Sequence, residues 1–213
     1  MTYILEDGPE TAAHRLIIAH GAGAGITFSF LEAIAQLIAG HDVAITRFEF
    51  DYMAARRHDS PKRPPSKANV LTQEYAELIS AVSARAPNGQ KLFIGGKSLG
   101  GRVASMIADE YFRSGAIWGL VCLGYPFHPP NQPEKLRTAH LENIACPTLI
   151  VQGTRDPFGT RAGIEALKLS PKIQFHWIGD GDHDFGPRGA SGFTRKGNLA
   201  AAANRVAAFL FGV

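Results

Sequence analysis

Six short, mostly apolar runs alternate along the chain with longer stretches whose apolar residues recur at helical spacing. The runs are Arg15–Ala19, Val43–Phe48, Lys91–Gly95, Ala116–Leu123, Thr148–Gln152 and Ile173–Ile178. A strand with one face in water alternates apolar with polar residues. Leu16-Ile17-Ile18-Ala19 has no polar member, so it needs cover on both faces. Between the runs, Phe30, Leu31, Ile34, Leu37 and Ile38 mark a one-sided helix over Ser29–Ala39. Leu71, Tyr75, Leu78, Ile79 and Val82 do the same over Val70–Arg85. Further helices are predicted over Gly100–Arg113, Glu134–Asn143, Arg161–Leu169 and Asn198–Phe211. Asp51–Ala68 holds three Pro and five Lys or Arg and reads as a long surface loop. Such repetition implies a three-layer αβα sandwich around a mostly parallel sheet of six or seven strands. A length of 213 residues suits one domain, 1–213.

In a sheet of that kind, reactive groups gather on loops at the carboxyl ends of the strands. Gly96-Lys97-Ser98-Leu99-Gly100 stands at such an end, after Lys91–Gly95 and before a helix. A nucleophile on a tight strand-to-helix turn needs small residues two positions to either side. The turn lifts the hydroxyl clear of the sheet, at the positive end of the helix. The same Gly-Lys-Ser also ends a phosphate-binding loop, but that motif needs Gly at position 91 and free residues after it. Position 91 is Lys, and Leu92-Phe93-Ile94 reads as buried strand, so nucleotide binding is disfavoured.

Serine is a weak nucleophile until a base takes its proton, and the base needs a carboxylate to fix its tautomer. Asp156 follows the strand Thr148–Gln152, and His183 follows Ile173–Ile178, in the chain order this architecture requires. Taken alone, Asp156 reads better as a turn or cap residue. The tetrahedral oxyanion needs preorganised N–H donors, which Leu99 and Ala22 would supply. Ala22 belongs to the loop His20-Gly21-Ala22-Gly23-Ala24-Gly25, whose rival reading as a dinucleotide fingerprint fails at Ile26. Tyr125, Phe127 and His128 are expected to wall the substrate pocket. Arg56, Arg57, Lys62, Arg63 and Lys67 are candidates for attracting an anionic substrate, or simply a solvated face.

Composition excludes several alternatives. A net charge of +3 is too mild to argue for nucleic acid or a membrane surface. No uncharged apolar run approaches the ~18 residues of a spanning helix, and Met1–Pro9 is too acidic for a signal peptide, so a cytoplasmic location is expected. Cys122 and Cys146 lack metal-knuckle or disulfide-framework spacing. Asp180, Asp182 and Asp184 lack the Gly and Glu spacing of a calcium loop, so neither metal nor cofactor is expected.

Taken in order, the runs His20–Gly25, Gly95–Arg102, Leu123–Pro126, Gln152–Gly159 and Asp182–Phe185 resemble those of α/β-hydrolases. The likeness is to a small, lidless subgroup related to dienelactone hydrolases, which includes the hydrolase-like domain of a chromatin-complex subunit. It implies the α/β-hydrolase fold without a cap domain, since only ~20 residues separate Pro126 from Thr148. Only about 14 residues precede the first core strand, so the antiparallel hairpin of larger relatives is expected to be cut to one strand or absent. The activity implied is hydrolysis of an ester, thioester or similar acyl bond through an acyl-enzyme on Ser98. His183 would be base and then acid, and Asp156 would orient it, with a small acyl substrate as the partner and no cofactor. The alternative is a noncatalytic interaction domain on the same framework.

Overall fold

The computed structural model describes residues 3–58 and 64–213. Its strands are β1 (Ile4–Asp7), β2 (His14–Ala19), β3 (Ala44–Phe48), β4 (Lys91–Lys97), β5 (Gly119–Leu123), β6 (Thr148–Gly153) and β7 (Ile173–Ile178). The helices are α1 (Ser29–Ala39), α2 (Asp51–Ala54), α3 (Ala68–Arg85), α4 (Leu99–Arg113), α5 (Arg161–Glu165) and α6 (Arg195–Phe211). One seven-stranded sheet runs in the order β1-β3-β2-β4-β5-β6-β7. Every pairing is parallel except β1 with β3. The expected sandwich is therefore present, and β1 is the one antiparallel strand among the described residues.

Alternation along the buried strands builds two cores. Ile17, Ile94, Leu120 and Ile150 face α3 and α4, packing with Tyr75, Ile79, Val103 and Ala104. Leu16, Ile18, Val121 and Leu149 face the other way, onto Phe30 and Ile34 of α1 and Ala202 and Val206 of α6. With both faces covered, the strands have no use for polar residues, which explains their unbroken apolar runs.

Four expectations are corrected. The helix predicted over Glu134–Asn143 is only a 3-10 turn at Ala139–Leu141. The chain there bonds to its surroundings instead: Arg137 N–H donates to Phe127 O, and Tyr125 Oη–H donates to Arg137 O. The helix predicted over Arg161–Leu169 stops at Glu165, a short element with Gly163 at its centre. The strand after α4 begins at Gly119 rather than Ala116, because Ala116 and Ile117 N–H both turn back to Tyr111 O. The loop expected over Asp51–Ala68 contains α2 and a 3-10 turn, Ala55–His58, anchored by buried Tyr52 and Met53.

Strand order also sets where a ligand can sit. From β2 the chain moves to β3 on one side, whereas from β4 it moves to β5 on the other. The loops leaving β2 and β4 therefore diverge and open a crevice at the carboxyl ends of these two neighbours.

Candidate active site

Ser98 is the single residue between β4 and α4, and its backbone lies at φ 51°, ψ −112°. A side chain at such positive φ costs on the order of 1–3 kcal/mol and persists only where its surroundings enforce it. The enforcement is visible: Ser98 N–H donates to Leu123 O at 3.0 Å. A methyl on Gly96 would stand 2.6 Å from Ala19 O, and one on Gly100 would stand 2.7 Å from Ala19 Cβ. Both glycines are thus pressed against the end of β2, and no other residue fits this turn. Leu99 opens α4, so its N–H has no acceptor within the helix.

Asp156 and His183 come from the loops after β6 and β7. Asp156 is fully buried. Its Oδ1 accepts from Phe158 N–H at 2.8 Å, while Oδ2 accepts from Gln152 Nε2 at 2.9 Å and faces His183 Nδ1 at 2.8 Å. A carboxylate oxygen only accepts, so a ring proton sits on Nδ1, and in the neutral imidazole Nε2 is the nitrogen with the free lone pair. The Phe158 ring, 4.4 Å from the imidazole centre, limits how far the ring can tilt. Ser98 and His183 line one cavity, with no hydrogen bond between them among the described residues.

The loop after β2 is held from behind. His20 Nδ1–H donates to Gly21 O at 2.6 Å, and its Nε2 accepts from Phe50 N–H at 3.1 Å. That pattern requires a neutral ring, and burial lowers the His20 pKa from 6.5 to about 4. Tyr52 Oη–H points at the Gly21 and Ala22 carbonyls, 3.5 and 3.2 Å away. In a trans peptide the N–H lies opposite the C=O. Fixing the Gly21 carbonyl toward His20 and Tyr52 therefore turns the Ala22 N–H away from them.

The cavity has a volume of about 290 Å³ and is walled by Gly21–Gly25, Phe28, Phe30, Leu31, Lys97, Ser98, Phe158, His183 and Asp184. Tyr125, Phe127 and His128 are not part of its wall, contrary to expectation. Gly124, at φ +65°, turns the chain so that Tyr125 and Phe127 sink into the core beneath α4, with their rings 4.9 Å apart. Phe28, Phe30 and Phe158 take their place, and the sequence marks them by no more than their proximity to the two glycine-rich loops. Of the basic candidates, Lys62 and Arg63 lie outside the described residues. Arg57 makes a two-pronged ion pair with buried Glu49, and Arg56 lies over the Tyr52 ring.

The three aspartates around His183 are each engaged separately. Asp180 pairs with Arg155 and Arg188, Asp182 accepts from the Asp184 and Gly186 N–H groups, and Asp184 pairs with Lys97. Among the described residues, no group of three or more His, Cys, Asp or Glu is placed to hold a metal ion. No described helix is long and apolar enough to cross a membrane.

A family model described as an alpha/beta hydrolase domain matches residues 12–211. Among solved structures, the chain is similar to an alpha-beta serine hydrolase homologue from Coxiella burnetii, at 15% identity and a TM-score of 0.73, covering 98% of this chain and 90% of that one. It is similar to dienelactone hydrolase from Anabaena variabilis, at 21% identity and a TM-score of 0.71, over 99% and 91% of the two chains. It also resembles an α/β serine hydrolase without a lid from Xanthomonas campestris, at 15% identity and a TM-score of 0.64, over 96% and 89%. At these identities the likeness is one of fold.

Proposed function

Because the chain belongs to the alpha/beta hydrolase domain family, we propose that it is a serine hydrolase of the lidless, dienelactone-hydrolase-like kind, cleaving an ester, thioester or similar acyl bond. The observation that carries this reading is the 2.8 Å contact of buried Asp156 with Nδ1 of His183, a residue that lines the same cavity as Ser98. His183 Nε2, left with its lone pair, takes the Ser98 proton as Oγ attacks the carbonyl carbon. The oxyanion is received by the N–H groups of Ala22 and Leu99. The first is turned outward by the anchored Gly21 carbonyl, and the second is unpaired at the start of α4. Protonated His183 returns its proton to the leaving group, and the acyl group stays on Ser98. Water, activated by the same imidazole, then releases the acid. Asp156 holds the ring and stabilises its charged form throughout.

The test is covalent labelling by an organophosphonate together with hydrolysis of activated esters near pH 8. Ser98→Ala should abolish labelling and lower turnover by about 10⁴-fold or more. His183→Ala should be nearly as inactive, because nucleophile and base act as one unit. Asp156→Asn should keep the fold and lose most activity through the wrong imidazole tautomer. Wild-type protein that ignores the phosphonate and hydrolyses no ester or thioester would leave the noncatalytic interaction domain as the better account.

A further inference from the structure

We propose that the ion pair between Lys97 and Asp184 is a positioning clamp that joins the residue before Ser98 to the residue after His183 and so sets the base against the nucleophile. The proposal rests on the serine-hydrolase reading, since what the clamp aligns is that pair.

Lys97 Nζ lies 3.2 Å from Asp184 Oδ1, and the lysine side chain is 8% exposed against 42% for the aspartate. Lining a cavity wall with a buried ammonium is costly where an apolar side chain would fill the same space. Its neighbours explain its use. The turn after β7 is rigid within itself: Asp182 Oδ1 accepts from Asp184 N–H and Gly186 N–H, and Asn198 Nδ2 donates to Phe185 O. A rigid turn still needs fixing relative to β4. The Asp156 contact restrains the imidazole but comes from β6, two strands away from the nucleophile strand. The Lys97 contact comes from β4 itself. Both meet at Gly124, where a methyl would stand 3.2 Å from Lys97 Nζ and 3.3 Å from His183 Cε1.

The charged and titratable groups facing Lys97 are Asp184 and Asp182 on the β7 loop, Asp156 on the β6 loop, and His183. Burial lowers the affinity of Lys97 for its proton below the usual lysine range, and Asp184 is the foremost group working against that loss. The clamp is therefore closed while the ammonium holds its proton and opens as that proton is lost with rising pH.

The experiment compares wild type with Lys97→Met, Asp184→Asn and the double variant. Glu165→Gln, which breaks the exposed Arg161 pair, is the control. Each single variant should lose about 10²-fold in kcat with KM within about twofold, as expected for displaced rather than missing catalytic groups. Phosphonate labelling should slow in parallel, and the double variant should be no worse than the worse single one. Any loss of wild-type kcat that tracks Lys97 deprotonation as pH rises should be absent in Lys97→Met, which a merely structural lysine would not produce. Should Lys97→Met not fold, Asp184→Asn, at the exposed end of the pair, decides the question alone. An active wild type whose single variants keep kcat within about twofold, or lose only KM, overturns the clamp and leaves the serine-hydrolase reading standing. A wild type that neither labels nor turns over overturns both.

Discussion

Gly124 shapes the surroundings of a cavity whose wall it does not line. It turns the chain at φ +65° and leaves room in which Lys97 and His183 pack. Gly124→Ala adds about 1–2 kcal/mol of backbone strain and a methyl in that space. Activity should fall by at least about tenfold while a cooperative urea transition remains, measured as kcat beside the melt. His20 makes a different prediction. Its folded pKa of about 4 lies below the ordinary 6.5, chiefly through burial, so its neutral ring favours the fold. That contribution is complete above pH 6.5 and is lost as pH falls toward 4. Urea unfolding of wild type should show a loss on the order of 2–3 kcal/mol between pH 7 and 4.5, and His20→Asn should flatten that slope. At this scale Ser98, Asp156 and His183 are legible as candidates because each follows a strand and they come in order. The pairing of Lys97 with Asp184 is not legible, since the 86 residues of intervening chain carry no sign of it.

At the scale of elements, cross-links by single polar side chains do what periodicity cannot predict. Tyr75 of α3 is fully buried, and its hydroxyl accepts from Gly95 N–H at 3.0 Å and lies 2.7 and 2.9 Å from the Gly95 and Ile17 carbonyls. It joins one helix to both central strands beside the Ser98 turn. Tyr75→Phe leaves a buried N–H unpaired and should cost about 1–3 kcal/mol in urea denaturation. Arg47 of β3 likewise reaches Asp7 of β1 through two N–H groups, which fastens the antiparallel edge strand. Elements with long apolar periods, such as α1, α3 and α4, are readable within two residues of their ends. Short ones are not. Glu134–Asn143 has helix-forming residues, yet contacts to Tyr125 and Phe127 outweigh a weak local preference.

For the molecule as a whole, the sheet's reversal between β2 and β4 locates the cavity, and the absence of a cap limits its size. With about 290 Å³ walled by Phe28, Phe30, Leu31 and Phe158, acetyl to butyryl or small aryl esters should be preferred. Rising kcat/KM for p-nitrophenyl esters beyond about ten acyl carbons would contradict this. Steering by the described arginines of this loop is expected to be weak, because Arg57 is matched by Glu49 and Arg56 lies against Tyr52. Anionic and neutral esters should therefore show the same small dependence of kcat/KM on ionic strength. What the sequence determines by itself is the layered parallel architecture, the tight turn at Ser98 and the order of the candidate groups. These follow from local rules: side-chain period, the steric demands of glycine, and position at strand ends. What the tertiary structure alone decides is which side chains share a cavity. Tyr125 and Phe127, beside a strand end in sequence, turn into the core at Gly124, whereas Phe28 and Phe158, 130 residues apart, line the same cavity. Contact between distant residues depends on how helices pack on both faces of the twisted sheet, a collective outcome that no local pattern encodes.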